Sequence, residues 1–182
     1  MTKRELRKIY LEKRLQLTEA EYDNLSQRIC HQFFNCLDLT NVKVVHLFLP
    51  IKKNKEPNTW LIAERLRSDY PTIKISIPKI VDEQLVNYYL DSDCILEENK
   101  WGISEPIKGN LTESKEIDVV LVPLLAFDKE NHRVGYGKGY YDRFLKQCRT
   151  DSKKIGLSFF HAVEKIDDAN EHDLALDAFI IP

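Results

Sequence analysis

The segment that decides the fold spans residues 117–145 and reads IDVVLVPLLAFDKENHRVGYGKGYYDRFL. Residues 117–122 are mostly apolar and rich in valine, which predicts a strand buried in the middle of a sheet. Residues 140–147 are predicted to form a helix. Three of the six glycines in the chain lie between these elements, at 135, 137 and 139. A buried strand followed by a glycine-rich loop and a helix is typical of an α/β domain.

Helices and strands are predicted to alternate through the rest of the chain. Residues 1–37 are expected to be helical, and Thr18 and Glu21 have the spacing of a capping box. A further helix is predicted from Asn58 or Thr59 through Arg67. The other predicted strands are residues 42–49, 73–77, 85–90, 154–159 and 178–181. This alternation predicts one α/β domain, 1–182, with a mainly parallel sheet, N-terminal helices at 1–37 and the glycine-rich loop and helix at 122–145.

The composition excludes several classes of protein. Of the 182 residues, 43% are hydrophobic and 31% are charged, which excludes disordered, collagen-like and low-complexity chains. Lys and Arg number 27 against 29 Asp and Glu, so the net charge does not favour nucleic acid or an anionic membrane as a partner. No stretch approaches the ~20 apolar residues of a spanning helix, and no secretory signal is expected at the N-terminus. We expect a cytoplasmic monomer that acts on small molecules.

The cysteine spacing indicates neither a disulfide framework nor a zinc site. The cysteines form no Cys-x-x-Cys pair and the five histidines are scattered. We therefore expect reduced thiols, as in cytoplasmic proteins, at all four positions: Cys30, Cys36, Cys94 and Cys148.

The glycine-rich loop predicts an anion site. Alternating glycines allow a ligand to approach the backbone closely, and the start of a helix offers unpaired N–H donors. Arg133 and Lys138 add two positive charges, so the loop is predicted to bind phosphate. The spacing is neither that of a P-loop nor that of a Rossmann loop, because Tyr140 occupies the last glycine position. The alternative is an ordinary turn between a strand and a helix.

Two further sets of charged residues have open interpretations. Asp142 lies in the first turn of the predicted helix, where it either complements the helix dipole or joins a Mg²⁺ ion to the phosphate. Lys3, Arg7 and Arg14 fall within an arc of about 40° on one helix face, which they share with Tyr10. These aligned cations either reach an anionic ligand or form a solvated helix face.

A resemblance to one known family accounts for these segments together. The run at 123–142, ending in Arg-Val-Gly-Tyr-Gly-Lys-Gly-Tyr-Tyr-Asp, resembles the signature of the 5-formyltetrahydrofolate cyclo-ligases, also called methenyltetrahydrofolate synthetases. Lys-Arg-x-Leu-Arg at 3–7, followed by Lys13 and Arg14, resembles the N-terminal helix of that family. Trp-Gly-Ile-x-Glu-Pro at 101–106 and Asn-Glu-His-Asp at 170–173 resemble two further elements. The matches keep the family's order over nearly the whole chain.

The resemblance implies a fold and a reaction. The fold is a three-layer α/β/α arrangement like that of sugar-phosphate isomerases and CoA transferases. The reaction converts 5-formyltetrahydrofolate to 5,10-methenyltetrahydrofolate with consumption of ATP, requires Mg²⁺ and releases ADP and phosphate. Phosphorylation of the formyl oxygen turns a poor leaving group into a good one, and such chemistry needs positioning and charge neutralisation more than a protein nucleophile. The alternatives on the same scaffold are a small-molecule kinase and a non-catalytic nucleotide or sugar-phosphate sensor.

The resemblance also assigns roles to individual residues. Lys138 and Arg133 are expected to be catalytic, and Asp142 and Asp173 to bind Mg²⁺. ATP binding is expected at Lys3, Arg4, Arg7, Arg133, Val134, Gly135, Tyr136, Gly137, Lys138, Gly139, Tyr140 and Tyr141. Folate contacts are expected at Leu49, Glu56, Trp101, Tyr136, Gly137, Lys138, Gly139 and Tyr140. Trp101 is alternatively a core aromatic. The sequence departs from the family pattern in the basic stretch at 50–55.

Overall fold

Helices and strands alternate along the chain in the computed structural model, which describes residues 1–99, 102–170 and 173–182. The helices are α1 Lys3–Leu15, α2 Glu19–Cys36, α3 Trp60–Asp69 and α4 Tyr140–Leu145. The strands, β1 to β10 in chain order, are Val44–His46, Lys74–Val81, Gln84–Tyr89, Ile95–Glu98, Ser104–Lys108, Val119–Pro123, Ala126–Phe127, Arg133–Val134, Lys153–Leu157 and Ala178–Ile180. Short 3-10 helices lie at Lys52–Asn54 and Ser114–Glu116.

Six strands form the central sheet in the order β10-β9-β6-β1-β2-β3. Neighbouring strands from β10 to β2 are parallel, so that His46 of β1 pairs with Ser76 of β2 and Val120 of β6. Strand β3 runs antiparallel to β2 after a tight turn at Asp82 and Glu83, both with positive φ as a two-residue hairpin turn requires. The prediction of a mainly parallel sheet is confirmed.

Two small hairpins, β4–β5 and β7–β8, were not predicted. Strand β4 reads ILEE and β5 reads SEPIK, and most of their residues are partly or fully exposed. Neither strand therefore carries the apolar run or clean alternation that marks a strand in a sequence. Strands β7 and β8 contain two residues each, which is too short for any periodic signal.

The sheet carries helices on both faces. In β1, Val45 packs in one apolar cluster with α2 and α3, whereas Val44 packs in another with Phe144 of α4. This alternation follows from the pleat of the strand, which points successive side chains to opposite faces. The three layers agree with the expected α/β/α arrangement. No helix within the described ranges is both long and apolar enough to cross a membrane.

Helix α1 packs on the β7–β8 hairpin. Its buried Leu6 and Tyr10 form an apolar cluster with Val134 of β8. Thr2 and Glu5 form a capping box at its start, which fixes where the helix begins. The basic face of α1 is thereby directed toward the glycine-rich loop that follows β8.

Gly156 in β9 is closely packed by the side chains of Leu124 and Phe179. A Cβ atom at this position would lie 2.5 Å from Leu124 Cδ2 and 2.6 Å from Phe179 Cδ1. We expect Gly156→Ala to lower the free energy of unfolding by about 1–3 kcal/mol, because an overpacked core must shift its neighbours. Urea denaturation measures this change. Gly135→Ala is the control, since a Cβ atom there would meet nothing within 4 Å beyond its chain neighbours; equal loss in both variants would contradict the packing argument.

Candidate active site

A cavity of about 440 Å³ opens at the carboxyl ends of β1, β2 and β6. This is the edge of a parallel sheet where ligands characteristically bind. Part of the lining is apolar and mostly aliphatic. It comes from the β1 and β6 ends and from the β2–β3 hairpin: Phe48, Leu49, Ile51, Pro78, Ile80, Leu85 and Pro123. The lining also includes the glycine-rich loop and the start of α4, residues 135–142, together with Lys3, Arg7, Arg133 and Asp173.

The loop at 135–139 offers a row of backbone donors. No backbone carbonyl in the described residues accepts a hydrogen bond from the N–H groups of these five residues. Gly137 and Gly139 have φ values of 85° and 68°, a left-handed conformation that side chains with a Cβ rarely adopt. The helix that follows contains only six residues, so its dipole is small. The loop N–H groups and nearby cations are the main features available to an anion.

Two of the three aligned cations on α1 reach the cavity wall. Arg7 Nε donates to the carbonyl oxygen of Gly135 at 2.9 Å, and a Cβ on Gly137 would lie 3.1 Å from Arg7 Cζ. Lys3 Nζ lies 2.5 Å from Asp173 Oδ2, and both side chains are largely buried. Arg4 is exposed and does not line the cavity.

Acidic groups lie beside these cations. Arg133, whose side chain is 6% exposed, donates through Nη2 to Asp142 Oδ1 at 2.7 Å and through Nη1 to the carbonyl oxygen of Leu174 at 2.8 Å. Burial opposes ionisation of Asp173, but the Lys3 ammonium and the Asn170 backbone N–H outweigh it and lower the pKa of Asp173. Of the acidic side chains that line the cavity, Asp142 and Asp173 are each in an ion pair that engages one of their oxygens.

A buried acid lies at the aliphatic end of the cavity. Glu56 is 3% exposed, and its Oε2 accepts a hydrogen bond from the backbone N–H of Ile51 at 2.7 Å. Burial raises the pKa of Glu56, while the Ile51 N–H, the charge of Arg14 and the Tyr136 hydroxyl act in the opposite direction. A carboxyl group desolvated in a cleft beside specific partners is characteristic of a functional site.

The remaining expected residues differ in their surroundings. Lys138 is exposed at the cavity wall, and no described residue forms a hydrogen bond or ion pair with its side chain. Tyr140 and Tyr141 line the cavity. Val134 is fully buried in the cluster under α1, so only its backbone is near the loop. Trp101 lies outside the described residues.

Two features of the site carried no usable signal in the sequence. His46 is fully buried at the end of β1, and its Nε2 lies 3.2 Å from the Tyr141 hydroxyl. Burial lowers the pKa of His46 to about 3, so the ring is neutral at physiological pH. The β2–β3 hairpin supplies Pro78, Ile80 and Leu85 to the cavity, although it is far from the loop in sequence.

Asp128 organises the hairpin that precedes the loop. Its carboxylate is buried and accepts backbone N–H groups from Glu130, His132 and Ile166. Glu130 and His132 also bring donor atoms within 4.8 Å of this carboxylate. Three backbone hydrogen bonds explain the burial of Asp128 as a loop-stabilising contact.

The charge pattern of the cavity fits a ligand that is anionic at one end and planar or apolar at the other. Lys3, Arg7 and Lys138, with the loop N–H groups, suit phosphate oxygens. Carboxylates beside them suit a divalent cation that bridges to phosphate. The aliphatic wall with one buried carboxyl suits a flat heterocycle that donates hydrogen bonds.

Comparisons with known proteins identify the family. The model of the 5-formyltetrahydrofolate cyclo-ligase family matches residues 1–182. The curated 5-formyltetrahydrofolate cyclo-ligase of Mycoplasma pneumoniae is 32% identical over 182 residues, covering 99% of this chain and 98% of that protein. The solved structure of a 5,10-methenyltetrahydrofolate synthetase from M. pneumoniae superposes with a TM-score of 0.78 at 30% identity, covering 99% of this chain and 98% of that one.

A second solved structure agrees with the first. The NMR structure of the 5,10-methenyltetrahydrofolate synthetase of Aquifex aeolicus gives a TM-score of 0.83 at 31% identity, covering 100% of this chain and 90% of that one. The sequence and structural matches both extend over the whole domain, including the glycine-rich loop. The chain therefore belongs to the 5-formyltetrahydrofolate cyclo-ligase family.

Proposed function

We propose that this protein cyclises 5-formyltetrahydrofolate to 5,10-methenyltetrahydrofolate, consuming ATP with Mg²⁺ and releasing ADP and phosphate. The observation that carries the proposal is the loop at 135–139, which lines a cavity together with lysine and arginine side chains and whose five backbone N–H groups have no backbone partner among the described residues. Family membership supplies the substrate class. The kinase and sensor alternatives have no specific observation in their favour.

ATP is held by the glycine-rich loop and by α1. The N–H groups at 135–139 and the Lys138 ammonium bind the phosphate oxygens, and Lys3 and Arg7 add positive charge from α1. Arg7 also fixes the loop through its hydrogen bond to the Gly135 carbonyl. Arg133 acts chiefly by orienting Asp142, since its guanidinium is buried against that carboxylate.

The folate occupies the aliphatic part of the cavity. Leu49 and the β2–β3 hairpin form a wall against which a pterin ring packs. The Glu56 carboxylate accepts hydrogen bonds from the ring amide N–H and amino group. The loop residues from Tyr136 to Tyr140 contact both substrates. They hold the formyl oxygen of the folate close to the phosphates of ATP.

Asp142 and Asp173 are the residues that would hold Mg²⁺. Each carboxylate lines the cavity, and its ion pair engages only one oxygen, Oδ1 of Asp142 and Oδ2 of Asp173. One or two carboxylates with phosphate oxygens and water are the usual ligands of Mg²⁺, so the residues fit. The bound ion would neutralise charge on the phosphates during transfer.

The reaction needs two steps, a phosphoryl transfer and a ring closure. The formyl oxygen attacks the γ-phosphorus of ATP and ADP leaves; the N10 amine then attacks the formyl carbon, loses its proton, and phosphate departs with the former formyl oxygen. The loop N–H groups and Lys138 stabilise charge on the transferring phosphoryl group. The neutral His46 ring holds Tyr141 at the cavity base, and the aliphatic wall excludes water.

An absorbance assay tests the proposal directly. The purified protein with 5-formyltetrahydrofolate should form the methenyltetrahydrofolate chromophore only when Mg-ATP is present, with one ADP per product. A kinase would release ADP without the chromophore. A sensor would bind ligand without turnover. Either result would overturn the proposed function.

The role of α1 gives a separate prediction. We expect Lys3→Ala/Arg7→Ala to weaken ATP binding by at least about 100-fold, because charge-assisted hydrogen bonds contribute about 1.5–3 kcal/mol each and the variant removes two of them. Calorimetric titration with ATP measures the affinity. Lys8→Ala is the control, since Lys8 is exposed on the same helix and does not line the cavity. Unchanged affinity in the double variant would mean that these cations do not contact ATP.

A further inference from the structure

Arg14 is a buried cation whose role the proposed function does not explain. It lies on α1, is 2% exposed, and does not line the cavity itself. Its Nη1 donates to the Tyr136 hydroxyl at 3.3 Å, and its Nη2 donates to the carbonyl oxygen of Leu124. Its Nε finds no hydrogen-bond partner among the described residues. Burying a guanidinium is costly unless an opposite charge and good hydrogen bonds compensate for lost hydration.

The compensating charge is Glu56. This carboxyl is 3% exposed, and the Tyr136 hydroxyl that Arg14 contacts is near enough to favour its ionised form. Arg14 and Glu56 therefore meet at one tyrosine in the glycine-rich loop. Tyr22 of α2 and Tyr141 of α4 also lie within the electrostatic reach of Glu56. Among the described residues, Arg14 supplies the positive charge that favours ionised Glu56.

We propose that Arg14 is a positioning residue for the folate subsite. It fixes the Tyr136 hydroxyl, and its positive charge lies beside the Glu56 carboxylate. That carboxylate accepts hydrogen bonds from the pterin ring. This inference rests on the proposed function and extends it to a residue that does not touch substrate. The pterin edge presents an amide N–H and an amino N–H, two donors side by side. An ionised carboxylate accepts both, whereas a protonated carboxyl turns one oxygen into a competing donor.

Arginine suits this role better than lysine. Its guanidinium stays protonated in a buried site, whereas a buried lysine loses its proton readily. Its fork also reaches two oxygens at once, here the Tyr136 hydroxyl and the Leu124 carbonyl. A purely structural ion pair would predict a loss of stability on mutation without any change in how folate binding depends on pH.

The test compares Arg14→Gln with Arg28→Gln, a control at an exposed arginine of α2. Binding of 5-formyltetrahydrofolate is measured by calorimetry without ATP, so no turnover occurs, and KM values are measured with ATP. At pH 7 we expect Arg14→Gln to raise the Kd and the KM for folate at least about tenfold. The KM for ATP should change less than about twofold in both variants.

The pH dependence separates positioning from packing. Without Arg14 the pKa of Glu56 rises further, because burial is no longer opposed by a neighbouring cation. The variant should therefore bind folate poorly at pH 6 and recover toward the wild type as the pH approaches 9. The wild type should show the same transition at lower pH. In a Glu56→Gln background, Arg14→Gln should leave the pH profile unchanged, since the titrating group is absent.

Each outcome decides the inference. Folate affinity in Arg14→Gln equal to the wild type, or a loss that is the same from pH 6 to pH 9, would overturn it. If Arg14→Gln fails to melt cooperatively, Arg14→Lys is tested in its place. It should weaken folate binding severalfold and move the pH transition to a higher pH than in the wild type, since a buried lysine loses its proton readily. Unchanged affinity in this variant would overturn the inference. A wild-type protein that forms no methenyl product defeats the proposed function instead.

Discussion

Lys138→Ala is expected to lower turnover by about 10²–10³-fold, the typical cost of removing one charge contact to a transition state. Lys138 lies between two glycines at the cavity wall, and its ammonium has no partner in the described part of the chain. An unpartnered exposed lysine contributes little to stability, so the free energy of unfolding should remain within about 0.5 kcal/mol of the wild type. Rates of methenyl formation at saturating ATP and folate measure the effect.

The control for this variant is Lys146→Ala, at an exposed lysine just after α4. It removes the same charge from the same region without changing the cavity wall, and its turnover should equal that of the wild type. If Lys138→Ala retains near-normal turnover, Lys138 does not contact the transferring phosphoryl group. Equal losses in both variants would indicate a general effect of net charge.

Asp142→Asn is expected to lower turnover about 10²-fold at low Mg²⁺, with part of the activity restored as Mg²⁺ is raised. The amide keeps the shape of the side chain and can still accept the hydrogen bond from Arg133 Nη2. It loses the negative charge that attracts a divalent cation, and mass action offsets a weaker metal affinity. The measurement is a Mg²⁺ titration of turnover for both proteins.

The alternative role for Asp142 predicts a different result. If Asp142 only complements the helix dipole, neutralising it should lower the free energy of unfolding by at most about 1 kcal/mol. The dependence of turnover on Mg²⁺ should then be unchanged. Identical midpoints and plateaus in the two titrations would favour that role. Asp69→Asn is the matched control, because Asp69 also pairs with an arginine, Arg65 on α3, but away from the cavity.

Much of the architecture could be predicted because it depends on local pattern. The apolar run at 117–122 overlaps β6 at 119–122, and the capping box of Thr18 and Glu21 lies at the start of α2. The prediction for α3 was also close, although Thr59 uses its hydroxyl to donate to the Phe48 carbonyl instead of capping the helix. Periodicity and capping act over a few residues, so the sequence carries them directly.

Elements that depend on distant partners could not be predicted in this way. The β4–β5 hairpin is largely exposed and charged, so its strands are defined by pairing with each other and not by an apolar pattern. The β7–β8 hairpin lies between β6 and the glycine-rich loop, where the sequence had suggested one direct connection. Ala126 and Val134 of this hairpin are buried under α1, whereas Phe127 packs in the cluster that contains Phe144 of α4.

By itself, the sequence determined the parallel α/β class, the glycine-rich loop and the family. It also pointed to the stripe of Lys3, Arg7 and Arg14, but one helix face cannot reveal which neighbour each cation meets. Tertiary structure decided that: Lys3 pairs with Asp173, Arg7 holds the Gly135 carbonyl, and Arg14 is buried beside Tyr136. Helical geometry sets the direction in which each side chain points. Its charge, burial and partner depend on segments that lie 110 to 170 residues away in the sequence and fold against the helix.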